Sequence, residues 1–232
     1  MFTTIMKKFL GCVLISLGFL AGTASASPAA PLAGSDYLVL PQAQPTSAGP
    51  GKIEVTEFFW YACPHCYALE PALQAWAMKQ SKDVVFKRVA VAFQDRFEPH
   101  TRMFYALTAL GKEAEMTPKV FKAIHVDHNY LLTAQAQADF LAQFGIDRKA
   151  YLDAYNGFAA QSNTRNADKT WRDYKIDGTP TIAIQGKYLV APATSAESMQ
   201  KAGTPATNEQ QLFDATLKTA DSIINGIRAR RL

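Results

Sequence analysis

The chain has 232 residues, 48% of them hydrophobic and 19% charged, with a formal charge of +4. That length and composition exclude a disordered chain and suffice for one sizeable core, or a core with an inserted subdomain. Lys7 and Lys8 fall in a leader expected to be removed, so the remainder carries about +2, too little to argue for a nucleic-acid partner.

In chain order, the N-terminus reads as a signal peptide. Lys7 and Lys8 form its positive region, Phe9 to Leu20 its apolar core, and Ala24-Ser25-Ala26 its small-residue cleavage site, with the cut after Ala26. Retention of this segment as an anchor stays open. Cys12 sits at the start of the apolar core rather than after it, which is the wrong place for lipidation. Residues 27–52 are rich in Pro, Ala and Gly, with a short strand candidate at 37–40. Val55, Phe58, Phe59 and Trp60 are strand formers, so residues 53–60 read as a buried strand. The strand leads into Cys63-Pro64-His65-Cys66, and Ala68, Leu69, Ala72, Leu73 and Trp76 continue at helical spacing. Cys63 then falls at the N-cap and Pro64 at the first helical position, where a missing N–H costs nothing. Pro71 is expected to bend this helix. Residues 84–91 read as a second strand, parallel to the first across the helix.

From 98 to about 175 the pattern is helical throughout, with helices expected at 98–110, 117–127, 133–144, 147–157 and 160–174. About 70 of these residues, 97–168, read as an all-helical insertion between a first part of the α/β domain (27–96) and a second part (169–232). The second part opens at Gly178-Thr179-Pro180, continues as a strand over 181–184, turns at Gln185-Gly186-Lys187 and returns over 188–190. Residues 192–206, rich in Ala, Ser and Thr, read as a loop, and 209–228 as the final helix with an apolar face from Leu212 to Ile227.

The chemistry concentrates in the C-x-x-C. A sulfur at the N-cap lies over unpaired N–H groups at the positive end of a helix, which favours thiolate over thiol. His65 can add a hydrogen bond or a charge on the same side. A stabilised thiolate favours the dithiol over the disulfide, so the oxidised pair gives its bond away readily. With the leader gone only Cys63 and Cys66 remain of the three cysteines. A structural bridge over two intervening residues closes almost no loop, and a zinc site lacks a second pair of ligands. His125, Asp127 and His128 do not have metal-ligand spacing and read as helix-end residues. Phe59, Trp60 and Tyr61 read as core. No cofactor or metal is expected, and no dimerisation element is visible, so a monomer is expected.

Phe58-Phe59-Trp60-Tyr61-Ala62-Cys63-Pro64-His65-Cys66-Tyr67, between a strand and a helix, resembles the DsbA family of periplasmic dithiol oxidases, which have a thioredoxin-like fold. The helical insertion and Thr179-Pro180 fit the same resemblance. It implies a protein dithiol oxidase that donates its Cys63–Cys66 disulfide to reduced, unfolded exported proteins and is recharged by a membrane quinone-coupled oxidase. It implies a cis Thr179–Pro180 bond facing the C-x-x-C, with Thr179 and Pro180 lining the substrate side. It also implies that Glu57, on the strand below the second cysteine, takes part in proton movement, with pairing to Lys87 or Arg88 as the alternative. Glu70 is a lesser electrostatic neighbour. A reductase or isomerase of the same fold, or a redox-inactive chaperone-like module, are the competing readings.

Overall fold

A computed structural model describes residues 31–232; the leader, with its cleavage site and Cys12, lies outside them. A five-stranded mixed sheet runs in the order β1-β5-β4-β2-β3. Its strands are β1 (Leu38–Val39), β2 (Ile53–Phe59), β3 (Val84–Ala90), β4 (Thr181–Ile184) and β5 (Tyr188–Val190). β2 and β3 are parallel, with Glu57 opposite Arg88 and Phe59 opposite Ala90. β4 runs antiparallel to β2, and β5 and β1 complete the edge. All seven residues of β2 are buried, Glu54, Thr56 and Glu57 among them, as befits a central strand covered on both faces. Gln185 and Gly186 both hold positive φ in the β4–β5 hairpin (50° and 65°), the mirror-image turn that suits strand twist.

Helix α1 (Pro64–Lys79) and the last helix α8 (Glu209–Arg228) share one side of the sheet. There Leu69, Leu73 and Trp76 pack with Phe213, Leu217, Ile223 and Ile224 over Val55, Ile182 and Ile184. Pro71 lies inside α1, and the helix continues through it to Lys79. Between β3 and β4 come a 3₁₀ turn (Asp95–Phe97) and helices α2 (Glu98–Ala109), α3 (Glu113–His125), α4 (Ala134–Ala142), α5 (Arg148–Asn156) and α6 (Phe158–Asp173). α6 runs past 168. Ala167, near its C-terminal end, and Tyr174, just beyond it, pack against Phe58, Val89 and Ala183 on the sheet's other face. The insertion's own core is continuous with the end of β2: Phe59, Tyr61, Cys63 and Cys66 sit in one cluster with Phe104, Leu107, Val120 and Phe121.

Two expectations are corrected. The segment expected as a loop over 192–206 contains a ten-residue helix, α7 (Pro192–Lys201). Thr194 reaches back to cap the Ala191 N–H at 3.0 Å, and the small polar side chains face inward, Ser195 bonding Thr216 at 2.9 Å and Ser198 bonding Asp36. A helix buried through hydroxyl pairs carries no apolar stripe to reveal it. The helix expected to begin at Thr117-Pro118 begins four residues earlier, at Glu113. Thr117 is no cap; it is fully buried, with its hydroxyl 3.0 Å from the Tyr61 hydroxyl and 3.3 Å from Glu113.

Phe121 joins the insertion to the sheet, with ring contacts to Phe59, Tyr61, Tyr67 and His125. Phe121→Ala is expected to cost about 3–5 kcal/mol, read as a lower urea midpoint by circular dichroism; a change under about 1 kcal/mol would show the seam to be independent of this ring.

Candidate active site

The turn after β2 delivers Cys63 to the start of α1. The Cys63 N–H bonds the Trp60 carbonyl at 2.9 Å, and Pro64 occupies the first helical position. Cys63 is the N-cap, and its sulfur accepts from the Cys66 N–H at 3.3 Å. Both cysteines are free thiols. The Cys63 thiol is held down to about 6 against its burial, first by its hydrogen bond with the Cys66 thiol, then by Thr179 and by the backbone N–H groups of Cys66 and His65. Burial, the charge of Cys63 and the carboxylate of Glu57 push Cys66 well up. One sulfur is poised as an anion and the other as a thiol.

Cys63 is nearly closed off, at 5% exposed against 0% for Cys66. The Thr179–Pro180 segment roofs it. That peptide bond is cis, and the Cys63 thiol donates to the Thr179 carbonyl at 3.2 Å. Beyond the roof lies a groove of about 480 Å³ between Ile176, Pro180 and Leu189 on one side and Ala193, Ala196 and Leu212 on the other.

His65 is exposed, and its imidazole Nδ1 is hydrogen-bonded to Glu209 at the first turn of α8. Its backbone N–H, rather than its ring, serves the Cys63 sulfur. Trp60 is half-buried, its ring 4.5 Å from that of Phe97, while Phe59 and Tyr61 are fully buried.

Glu57 stands on the face of β2 that carries Val55 and Phe59, and it pairs with Arg88 at 2.7 Å across the parallel register. Arg88 also takes Glu70 of α1 at 2.8 Å and Glu113 of α3 at 3.3 Å, its own side chain only 7% exposed. Three carboxylates share one cation in a desolvated place. Burial pushes Glu57 up, and pushes Glu70 up to about 7, while the carboxylates hold Arg88 protonated. One oxygen of Glu57 and one of Glu70 have no partner, an arrangement that lets each carboxyl hold a proton.

Sequence reasoning missed Arg88 as the hub, because its partners come from three separate segments. It also missed His125. That residue is no ordinary helix end: its Nε2 donates to the Tyr61 carbonyl at 2.8 Å, and its ring stacks on Tyr67 with centroids 5.0 Å apart. Asp127 and His128 are exposed and stay apart from it; Asp127 pairs with Lys122. Among the described residues no group of three His, Cys, Asp or Glu is placed to hold a metal.

A cis proline facing an N-terminal C-x-x-C on this sheet order defines a thioredoxin-fold dithiol–disulfide centre. Residues 54–203 match the model of the DSBA-like thioredoxin domain. The chain is 55% identical over 188 residues to the thiol:disulfide interchange protein DsbA of Burkholderia cepacia, covering 81% of this chain and 89% of the relative. It is 43% identical to that of Azotobacter vinelandii, covering 78% of this chain and 86% of the relative. The crystal structure of Pseudomonas aeruginosa DsbA superposes with a TM-score of 0.75 at 37% identity, covering 86% of this chain and 95% of that one. The chain belongs to the DSBA-like thioredoxin domain family and is a thiol:disulfide oxidoreductase.

Two outcomes follow from this geometry. A thiol whose folded value lies below its unfolded one contributes stability above the unfolded value and loses it as pH falls through the folded one. The disulfide form has no such thiol. The stability of the reduced protein over the oxidised one is therefore expected to be greatest near pH 9, to shrink as pH falls, and to level off below about 6. Paired urea titrations across that range check it; a gap independent of pH would contradict the thiolate assignment. Arg88→Met leaves buried carboxylates without their cation. It is expected to cost about 3–5 kcal/mol at pH 8 and less at pH 5, where Glu57 and Glu70 take up protons, with thermal melts at the two pH values as the measurement.

Proposed function

We propose that the protein is a periplasmic dithiol oxidase that donates the Cys63–Cys66 disulfide to reduced, unfolded exported proteins. The observation that carries this reading is the split between the two sulfurs: a lowered Cys63 at the N-cap of α1 and a raised, fully buried Cys66 behind it. A thiolate of the client attacks Cys63, the more exposed sulfur of the pair. The Cys63–Cys66 bond breaks, Cys66 leaves with the electron pair, and its raised affinity draws a proton to it. A second client thiolate attacks the client sulfur of the mixed disulfide and expels Cys63 as a thiolate. The client has lost two electrons and the protein has gained them. The stability of the leaving thiolate sets the direction.

The remaining residues have roles consistent with their positions. Pro64 starts α1 without wasting an N–H and brings the His65 N–H under the sulfur. His65 supports the Cys63 thiolate through that N–H. Glu57, protonated more readily than an ordinary carboxyl and with one oxygen unpartnered, supplies or accepts the Cys66 proton. Thr179 and Pro180 seat the client, whose extended backbone pairs with Thr179 while apolar side chains enter the groove beside it. The reduced protein is returned to the disulfide by a membrane quinone-coupled thiol oxidase, and it works as a monomer. The leader read from residues 1–26 and the likeness to thiol:disulfide interchange proteins support this compartment.

Cys63→Ser is expected to abolish oxidation of a reduced, unfolded client protein. Cys66→Ser is expected to accumulate a mixed disulfide through Cys63, visible by non-reducing electrophoresis. A Cys63→Ser protein that still oxidised the client would overturn the mechanism, and one that merely kept the client soluble would favour the chaperone-like alternative.

A further inference from the structure

The one ring in the active-site motif that can serve the Cys63 sulfur is turned elsewhere. The His65 imidazole is bonded through Nδ1 to Glu209, its side chain 64% exposed and that of Glu209 41% exposed. The sulfur meets the Cys66 N–H at 3.3 Å and the Thr179 carbonyl at 3.2 Å, and the groups that favour its charge are the Cys66 thiol, Thr179 and the N–H groups of Cys66 and His65. Glu209 is not free to follow the motif. It is the first residue of α8, whose start is capped by the Asn208 side chain on the Gln211 N–H at 3.0 Å. The same helix is tied to α1 by Asp221, which accepts from Trp76 at 2.8 Å and from Gln80 at 3.0 Å, and by the shared core of Leu69, Leu73, Phe213 and Leu217. α8 thus presents a carboxylate at a fixed place beside the C-x-x-C.

We propose that Glu209 is a positioning residue that holds the His65 ring away from the Cys63 sulfur and so restrains the oxidising power of the pair. This rests on the oxidase reading above. Three elements bring charge to this side of the site. α8 brings Glu209, α7 brings Glu197, and the segment before Thr179 brings Lys175 and Asp177, all on the groove that His65 also lines. Behind Cys66 stand Glu57, Glu70 and Glu113 around Arg88, and on the insertion's side His125 is engaged with the Tyr61 carbonyl. None of these contacts the His65 ring except Glu209. Without that carboxylate the imidazole swings to the sulfur and donates to it. The thiolate becomes more favoured, and the disulfide becomes a stronger oxidant.

The test is Glu209→Ala in the full protein, with the pH titration of the Cys63 thiolate by iodoacetamide alkylation and the redox equilibrium against glutathione as readouts. The variant is expected to titrate about half a pH unit lower and to shift the equilibrium about threefold toward the reduced protein. In a His65→Ala background the same substitution is expected to do little, because no ring is left to release. Glu209→Asp is expected to restore most of the wild-type behaviour. An unchanged or higher midpoint would overturn the proposal, the latter showing that Glu209 assists the thiolate through a charged imidazole. An equal shift in both backgrounds would overturn it too, reducing Glu209 to a through-space charge. The wild-type titration separates the two levels of the argument: a Cys63 that titrates like a free thiol would refute the oxidase mechanism itself, whereas a lowered Cys63 insensitive to Glu209 would refute only this proposal.

Discussion

The structure depends on a sulfur standing where a helix has unspent N–H groups. Cys63 caps α1, and its charge is held by the Cys66 thiol and Thr179 together with backbone N–H groups of Cys66 and His65. Backbone donors of this kind are set by the fold and need no reorganisation when charge appears. Everything that fixes the first turn of α1 therefore acts on the chemistry. The aromatic end of β2 fixes its entry, with Phe59 and Tyr61 locked by Phe104 and Phe121, and the His125 bond to the Tyr61 carbonyl fixes the turn between them.

The second feature works against ordinary burial. Arg88 brings three carboxylates from β2, α1 and α3 into one place, and a single cation does not neutralise them. Glu57 and Glu70 respond by holding protons more tightly. The residual charge of Glu57 penalises ionisation of Cys66, the sulfur with no solvent to screen it. The two cysteines, three residues apart, thus face opposite electrostatic surroundings, helix N–H groups on one side and a carboxylate-rich interior on the other.

Much of this was legible from residue order. The strand–C-x-x-C–helix unit, the parallel β2–β3 pair, the helical insertion and the hairpin at Gln185-Gly186 each rest on local patterns: an apolar run, a proline at the first helical position, periodic leucines and aromatics, a glycine turn. What escaped has no local pattern. α7 buries Ser195 and Ser198 by hydroxyl pairing, so its inward face reads as polar. Thr117-Pro118 looks like a helix start, but the hydroxyl belongs to Tyr61 across the core. Arg88 sits two residues from the end of a strand, and its three partners converge only in the folded chain. The restraint on His65 by Glu209 spans 144 residues, beyond the reach of any motif.

The Arg88 cluster also limits how far the molecule can be miniaturised. One of its carboxylates, Glu113, belongs to α3, and the aromatic face of Phe59 and Tyr61 is covered by side chains of α2 and α3. Excising the helices between β3 and β4 would bare the sheet face that α6 covers, strip the cover from the very strand end that aims the sulfur and unbalance the charges beneath its neighbour. The insertion is thus a wall of the redox chamber, and a pared-down scaffold would need new partners for Arg88 and a new apolar lid before the Cys-Pro-His-Cys turn could behave as it does here.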